Sequence, residues 1–158
     1  MTKTIKILII SVFILLAAFF THVGLKNSEQ MYAQEENPNM KIKMSFENKE
    51  VIIKMFDNLA SKQVIELLPA EFQFSDFAGE EKITNFEKPL TLDNAPRGMV
   101  ATAGKLFIYA PWGNMGIFYK DHGHIIDKSL IPLGEVESGL EFLKLQKNNF
   151  KAKLEIIK

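Results

Sequence analysis

The chain has 158 residues, 47% of them apolar, with no formal net charge and no cysteine. That length allows one domain plus a leader. The missing thiol excludes disulfides, cysteine-held zinc, iron–sulfur clusters, thiol catalysis and a lipid-modified cysteine anchor. No Lys/Arg-rich run is present, and Arg97 is the single arginine, so nucleic acid is not an expected partner.

Lys3 and Lys6 precede an apolar run from Ile7 to Phe20, broken only by Ser11 and extended more weakly to Leu25. A positive start followed by a short apolar stretch is the pattern of a secretory signal. The run also approaches the roughly 20 residues that span a bilayer, so a retained anchor is the alternative. Either way the two lysines stay in the cytoplasm and the rest of the chain goes outside. Residues 1–25 are therefore predicted to be a hydrophobic helix, as signal peptide or membrane anchor, and the protein extracytoplasmic. Residues 26–39 are rich in Asn, Gln and Glu. They read as a polar linker that cannot bury enough to order itself. Residues 40–158 form the predicted domain. Without the first 33 residues the chain keeps 16 basic and 18 acidic side chains, a slightly acidic balance.

The domain opens with a hairpin from Met40 to Asn58. Ile42, Met44 and Phe46 alternate with Lys41, Lys43 and Ser45, and Glu47-Asn48-Lys49 makes the turn. This period of two buries one face of a strand. Leu59 to Leu68 has helical spacing, with Asn58 or Ser61 as cap and Pro69 as stop. Phe72 and Phe74, with Asp76 in the same phase, alternate in a short strand. Glu81 to Phe86 is another, with Ile83 expected inward. Pro89 to Gly98 reads as loop. Leu106–Tyr109 and Gly116–Tyr119 are strands rich in aromatic and β-branched residues, joined by a corner containing Pro111, Gly113 and Asn114. Ile125 and Ile126 are placed to pair back, and Leu130 to Gly134 reads as a short strand or edge. Ser138 to Leu145 reads as a helix capped by Ser138, with Glu141 completing a capping box. Lys151 to Ile157 alternates again and is placed to close the sheet onto the first strand. Many short strands with two short helices predict a mainly β chain folded as a closed barrel.

The run from Leu106 to Asp121, Leu-Phe-Ile-Tyr-Ala-Pro-Trp-Gly-Asn-Met-Gly-Ile-Phe-Tyr-Lys-Asp, resembles the signature of the bacterial cyclophilin-like family. The resemblance extends upstream to Phe77–Ile83 and downstream to Leu133–Leu140, and covers roughly Met40 to Leu145. It implies a cyclophilin-like barrel of about eight strands capped by two short helices. It does not carry prolyl isomerase activity with it. True cyclophilins hold an arginine within a Phe-His-Arg segment followed by a Gln-Gly-Gly segment, and neither is present here.

Three places bear on function. Tyr109, Trp112, Phe118 and Tyr119, with Asn114 at the corner, either build the barrel or form a groove for a peptide or small ligand. Arg97 is either an exposed loop charge or a cation that polarises a prolyl carbonyl and so eases rotation about its C–N bond. Asp121, His122 and His124 have metal-ligand chemistry, but Gly123 predicts a turn that sends the two histidines apart. Glu80-Glu81 and Glu135-Val136-Glu137 read as solvated carboxylates. No nucleophile triad, phosphate loop or nucleotide motif is present, and no cofactor is expected. The reading is an exported ligand-binding module, with a divergent prolyl isomerase as the alternative.

Overall fold

The computed structural model describes residues 36–157, with side chains from Met40 onward. The predicted leader and most of the predicted linker lie outside the described residues. Among the described residues, no helix is long and apolar enough to cross a membrane.

Eight strands close into an antiparallel barrel in the order β1-β10-β3-β4-β7-β6-β9-β2. Strand β1 (Glu36–Phe46) begins earlier than Met40 and pairs with β2 (Lys49–Phe56). Glu47 and Asn48, with φ of 46° and 60°, make the two-residue turn between them, the backbone twist that tight hairpins favour. Helix α1 (Leu59–Glu66) follows, capped by Asn58, whose side chain accepts from the Ser61 N–H at 3.0 Å. Ser61 is instead buried and donates its hydroxyl to the Leu133 carbonyl at 3.0 Å, docking the helix on the barrel. Strands β3 (Ala70–Phe77) and β4 (Glu81–Thr84) continue the wall. Strands β6 (Lys105–Tyr109) and β7 (Asn114–Phe118) form the central hairpin. Strand β9 (Leu130–Ser138) is longer than the predicted Leu130–Gly134 segment. Its register shifts between the Leu106–Gly134 and Phe107–Pro132 pairs, a bulge that leaves Leu133 unpaired beside the residue that lacks an N–H. Strand β10 (Phe150–Ile157) joins β1 to β3 and closes the barrel. A separate ribbon pairs β5 (Met99–Val100) with β8 (Ile126–Asp127).

Alternation holds in most strands. Ile42, Met44, Val51, Ile53, Phe74 and Leu154 fill the interior. In β4 it holds in the reverse of the predicted phase, which puts Ile83 inward. Lys82 and Thr84 point in, and Ile83 lines an outer groove. Both faces of β4 are covered, one by the core and one by aromatic side chains. Hydrophobicity therefore does not report its phase.

The second helix, α2 (Leu140–Leu145), starts after the expected cap. Ser138 ends β9 opposite Ile52, and Gly139 occupies the N-cap with φ of 87° and no side-chain bond. A Cβ on Gly139 would lie 2.3 Å from the Glu50 carbonyl oxygen. Close approach as well as backbone conformation therefore requires glycine there.

Candidate functional site

Antiparallel pairing decides which aromatic side chains meet. In β7 the residues Met115 and Ile117 face the core, and Tyr119 continues that phase beyond the strand. Asn114, Gly116 and Phe118 have the opposite phase and face outward. Across β6, Gly116 is paired with Phe107, and Tyr109 with Asn114. Across β4, Phe118 is paired with Glu81, and Gly116 with Ile83. The outward row is a groove of about 250 Å³ whose lining includes Phe77, Ile83, Leu130 and His122.

Its floor depends on Gly116. A Cβ there would lie 2.4 Å from Phe107 Cζ, so only glycine lets the Phe107 ring lie across the strand. That ring stacks on Phe118 with centroids 4.3 Å apart, and Phe118 in turn stacks on His122 at 6.0 Å. The turn between β6 and β7 holds Trp112 above this floor. The Tyr109 carbonyl accepts from the N–H groups of Trp112 and Gly113, and Gly113 takes a φ of 67°. The Trp112 indole meets Tyr109 edge-on at 5.2 Å and Phe77 edge-on at 6.0 Å. It nevertheless remains 66% exposed, unusual for so large an apolar surface.

Polar groups within the groove are few. Asn114 is 4% exposed and its Oδ1 has no hydrogen-bond partner among the described residues. Buried polar atoms are ordinarily paired, because an unpaired one forfeits its hydration for nothing. Glu81 lies on the groove wall, and burial pushes its carboxyl up to about 7; His122 opposes that shift and Glu80 adds to it. His122 has its own partner. Its Nδ1 contacts Glu80 Oε2, and this hydrogen bond raises the imidazole above its ordinary range. Asp127 lies at the ribbon side, accepting from the Ser129 N–H at 2.7 Å.

Of the residues singled out in the sequence, Tyr109, Trp112, Asn114 and Phe118 come together in this groove. Tyr119 does not. It is buried inside the barrel, where its hydroxyl donates to Asp76 Oδ1 at 2.6 Å. Phe118 and Tyr119 are adjacent in the chain, so they face opposite sides. Arg97 does not join the groove either. It is exposed on the loop before β5 and is absent from the lining. Asp121 accepts from the Ala103 N–H at 2.8 Å. Among the described residues, no three His, Asp or Glu side chains gather as a metal site. Glu81, Phe77 and Phe107 were not expected in a site. Strand parity relative to Phe118 would have placed Phe107 only with the β6–β7 register in hand. Glu81 and Phe77 enter through pairings distant in sequence.

These features define a closed antiparallel barrel with an aromatic groove on its outer face. The chain belongs to the Cyclophilin-like family, whose profile matches residues 44–155. Among solved structures it is similar to a hypothetical protein from Archaeoglobus fulgidus determined in solution. The identity is 16% and the TM-score 0.58, with 74% of this chain and 94% of the other covered. That likeness is one of fold. Among curated proteins none matches the chain.

Proposed function

We propose that this protein is a binding module that takes a short peptide or small ligand in the outer aromatic groove. The observation that carries the reading is the exposed Trp112 indole, held edge-on between Tyr109 and Phe77 above a concave floor. Flat, rigid rings with one polar edge supply contact area at little conformational cost. Trp112 is the one tryptophan of the chain, so its fluorescence reports on the groove directly. Titration with a succinylated Ala-Ala-Pro-Phe anilide and with short uncharged peptides is expected to shift that emission without cis–trans turnover. Prolyl turnover that disappears in Arg97→Ala would overturn the binding-only reading in favour of a divergent isomerase. Arg97 lies outside the groove lining, which favours binding without catalysis.

The reading includes export, with residues 1–25 directing the module across the membrane as a cleaved signal or a retained anchor. The mass of the mature protein separates the two. Loss of about the first 33 residues marks cleavage, and an intact chain recovered with membranes marks an anchor.

A further inference from the structure

The polar complement of the groove is one-sided. Its buried unpaired atom is an acceptor, Asn114 Oδ1. Its two carboxylates are Glu81 and Asp127, and neither Lys nor Arg lines it. The single lining group able to carry positive charge, His122, is already engaged by Glu80. The Glu81 carboxylate makes no hydrogen bond or close ion pair among the described residues, His122 being the one charge that opposes it, although Asp76, Glu135 and Glu155 on other strands each hold a lysine. Among the lining rings, Phe77 and Tyr109 each meet Trp112 nearly at right angles. Aromatic rings lining an acidic groove attract a cation.

The spacing is also informative. Asn114 and Phe118 stand at opposite ends of the outward face of β7, and Glu81 is paired with Phe118. They are separated by about 13 Å of strand, less the inward reach of the two side chains. An acceptor at one end and a carboxylate at the other suit an extended ligand with a donor at each end.

Resting on the binding reading above, we propose that the groove takes a peptide through a primary ammonium group. The ammonium is seated among the aromatic rings against Glu81, and a peptide N–H is donated to Asn114 Oδ1. A lysine side chain and a free peptide N-terminus both supply that chemistry. Burial raises the Glu81 carboxyl to about 7 against the opposing charge of His122, and an ammonium bound beside it would draw it back down.

The test follows Trp112 emission at pH 8 with three tripeptide probes: acetylated and amidated Ala-Lys-Ala, the same peptide with norleucine for lysine, and amidated Ala-Ala-Ala with a free N-terminus. The lysyl peptide is expected to bind at least about tenfold more tightly than the norleucine peptide. Glu81→Gln should remove that preference. Equal or tighter binding of the free N-terminal peptide supports the proposal and names the N-terminus as the source of the ammonium. Asn114→Asp, which keeps an acceptor in place, should bind the lysyl peptide at least as well as the parent, and Asn114→Leu more weakly. Circular dichroism checks that each variant is folded, and either acidic-end or amide-end variant suffices to decide. Affinity for the norleucine peptide equal to that for both ammonium-bearing peptides, or no change in Glu81→Gln, overturns the ammonium proposal and leaves the groove reading standing. Silence from every probe, the prolyl anilide included, overturns both.

Discussion

Strand β4 carries polar side chains on both faces and its neighbour β7 carries one on the outer face, and the two faces treat them in opposite ways. Inside the barrel, Lys82 is 1% exposed. Its Nζ donates to Asp76 Oδ1 and to the Gln146 carbonyl, each at 2.5 Å, and lies 4.8 Å from the Tyr119 ring centroid. Asp76 Oδ2 accepts from the Gly79 N–H, and Thr84 donates to the Gln73 carbonyl at 2.8 Å. Burial alone would raise the Asp76 pKa, but the hydrogen bonds from Lys82 and Tyr119 outweigh it and hold the carboxylate below its usual range. Burial first, and the Asp76 hydrogen bond second, push the Tyr119 hydroxyl the other way. On the outer face Asn114 Oδ1 is unpaired and the Glu81 carboxyl is lifted toward neutrality. Inside, polarity is closed on itself and serves the fold. Outside, the Asn114 acceptor stays unpaired and the Glu81 carboxyl faces only the opposing charge of His122.

The largest expected effect tests the closed side. Lys82→Met removes a buried cation, leaving Asp76 without its partner and the Gln146 carbonyl without a donor. Breaking such a pair costs about 3 kcal/mol or more, read as a lower urea midpoint. The Trp112 response to ligand should persist in the fraction that remains folded. Adding Asp76→Leu to Lys82→Met should restore much of the loss, because the uncompensated carboxylate goes with it. A single Lys82→Met variant as stable as the parent would break the contrast between the two faces.

Glu81→Gln tests the open side and works through pH. The folded carboxyl sits at about 7 against an ordinary 4.5, so the folded state holds its proton over that interval while the unfolded state gives it up. Stability therefore falls as pH rises from about 4.5 to 7, and the penalty is complete above that. Glu81→Gln removes it. The variant should match the parent near pH 4 and exceed it at pH 8 by about 1–2 kcal/mol, a figure discounted for the groove's contact with solvent. Chemical denaturation at the two pH values checks this, and a parent that gains stability between them would contradict it.

The barrel was legible because its core strands alternate cleanly: Ile42, Met44 and Phe46 in β1, Phe72 and Phe74 in β3, Ala152 and Leu154 in β10. The groove was half legible. Tyr109, Trp112, Asn114 and Phe118 are close in sequence and converge for that reason. Tyr119 was grouped with Phe118 although a period of two separates adjacent residues, so that signal was present. Lys82 carried no signal. A lysine in an alternating strand reads as the solvent face, and its partners Asp76 and Gln146 lie on β3 and beyond α2. Glu81 read as one of a solvated pair with Glu80 for the same reason, since the rings that bury it come from other strands.

Asn114→Leu has a smaller expected effect and the opposite sign from that of core damage. Replacing a buried amide whose oxygen is unpaired by an apolar group of similar size removes a desolvation cost, and the variant should gain about 1 kcal/mol. Ligand affinity should fall in the same protein, because the acceptor is gone. A loss of stability instead would mean that Asn114 supports the β6–β7 corner and belongs with the closed polar groups.

The smallest effect falls on the largest side chain. Trp112 is 66% exposed and touches the barrel mainly through the edges of Phe77 and Tyr109. Trp112→Ala should change stability by no more than about 0.5 kcal/mol, whereas truncating a core ring of comparable size costs about 3–5 kcal/mol. The reporter is lost with the side chain, so unfolding is followed by circular dichroism and peptide binding by calorimetry. Retained stability with lost binding places the indole among groups kept for a ligand. Lost stability would make it a lid over Ile83 and Phe77, and the groove would then be the outer edge of the core.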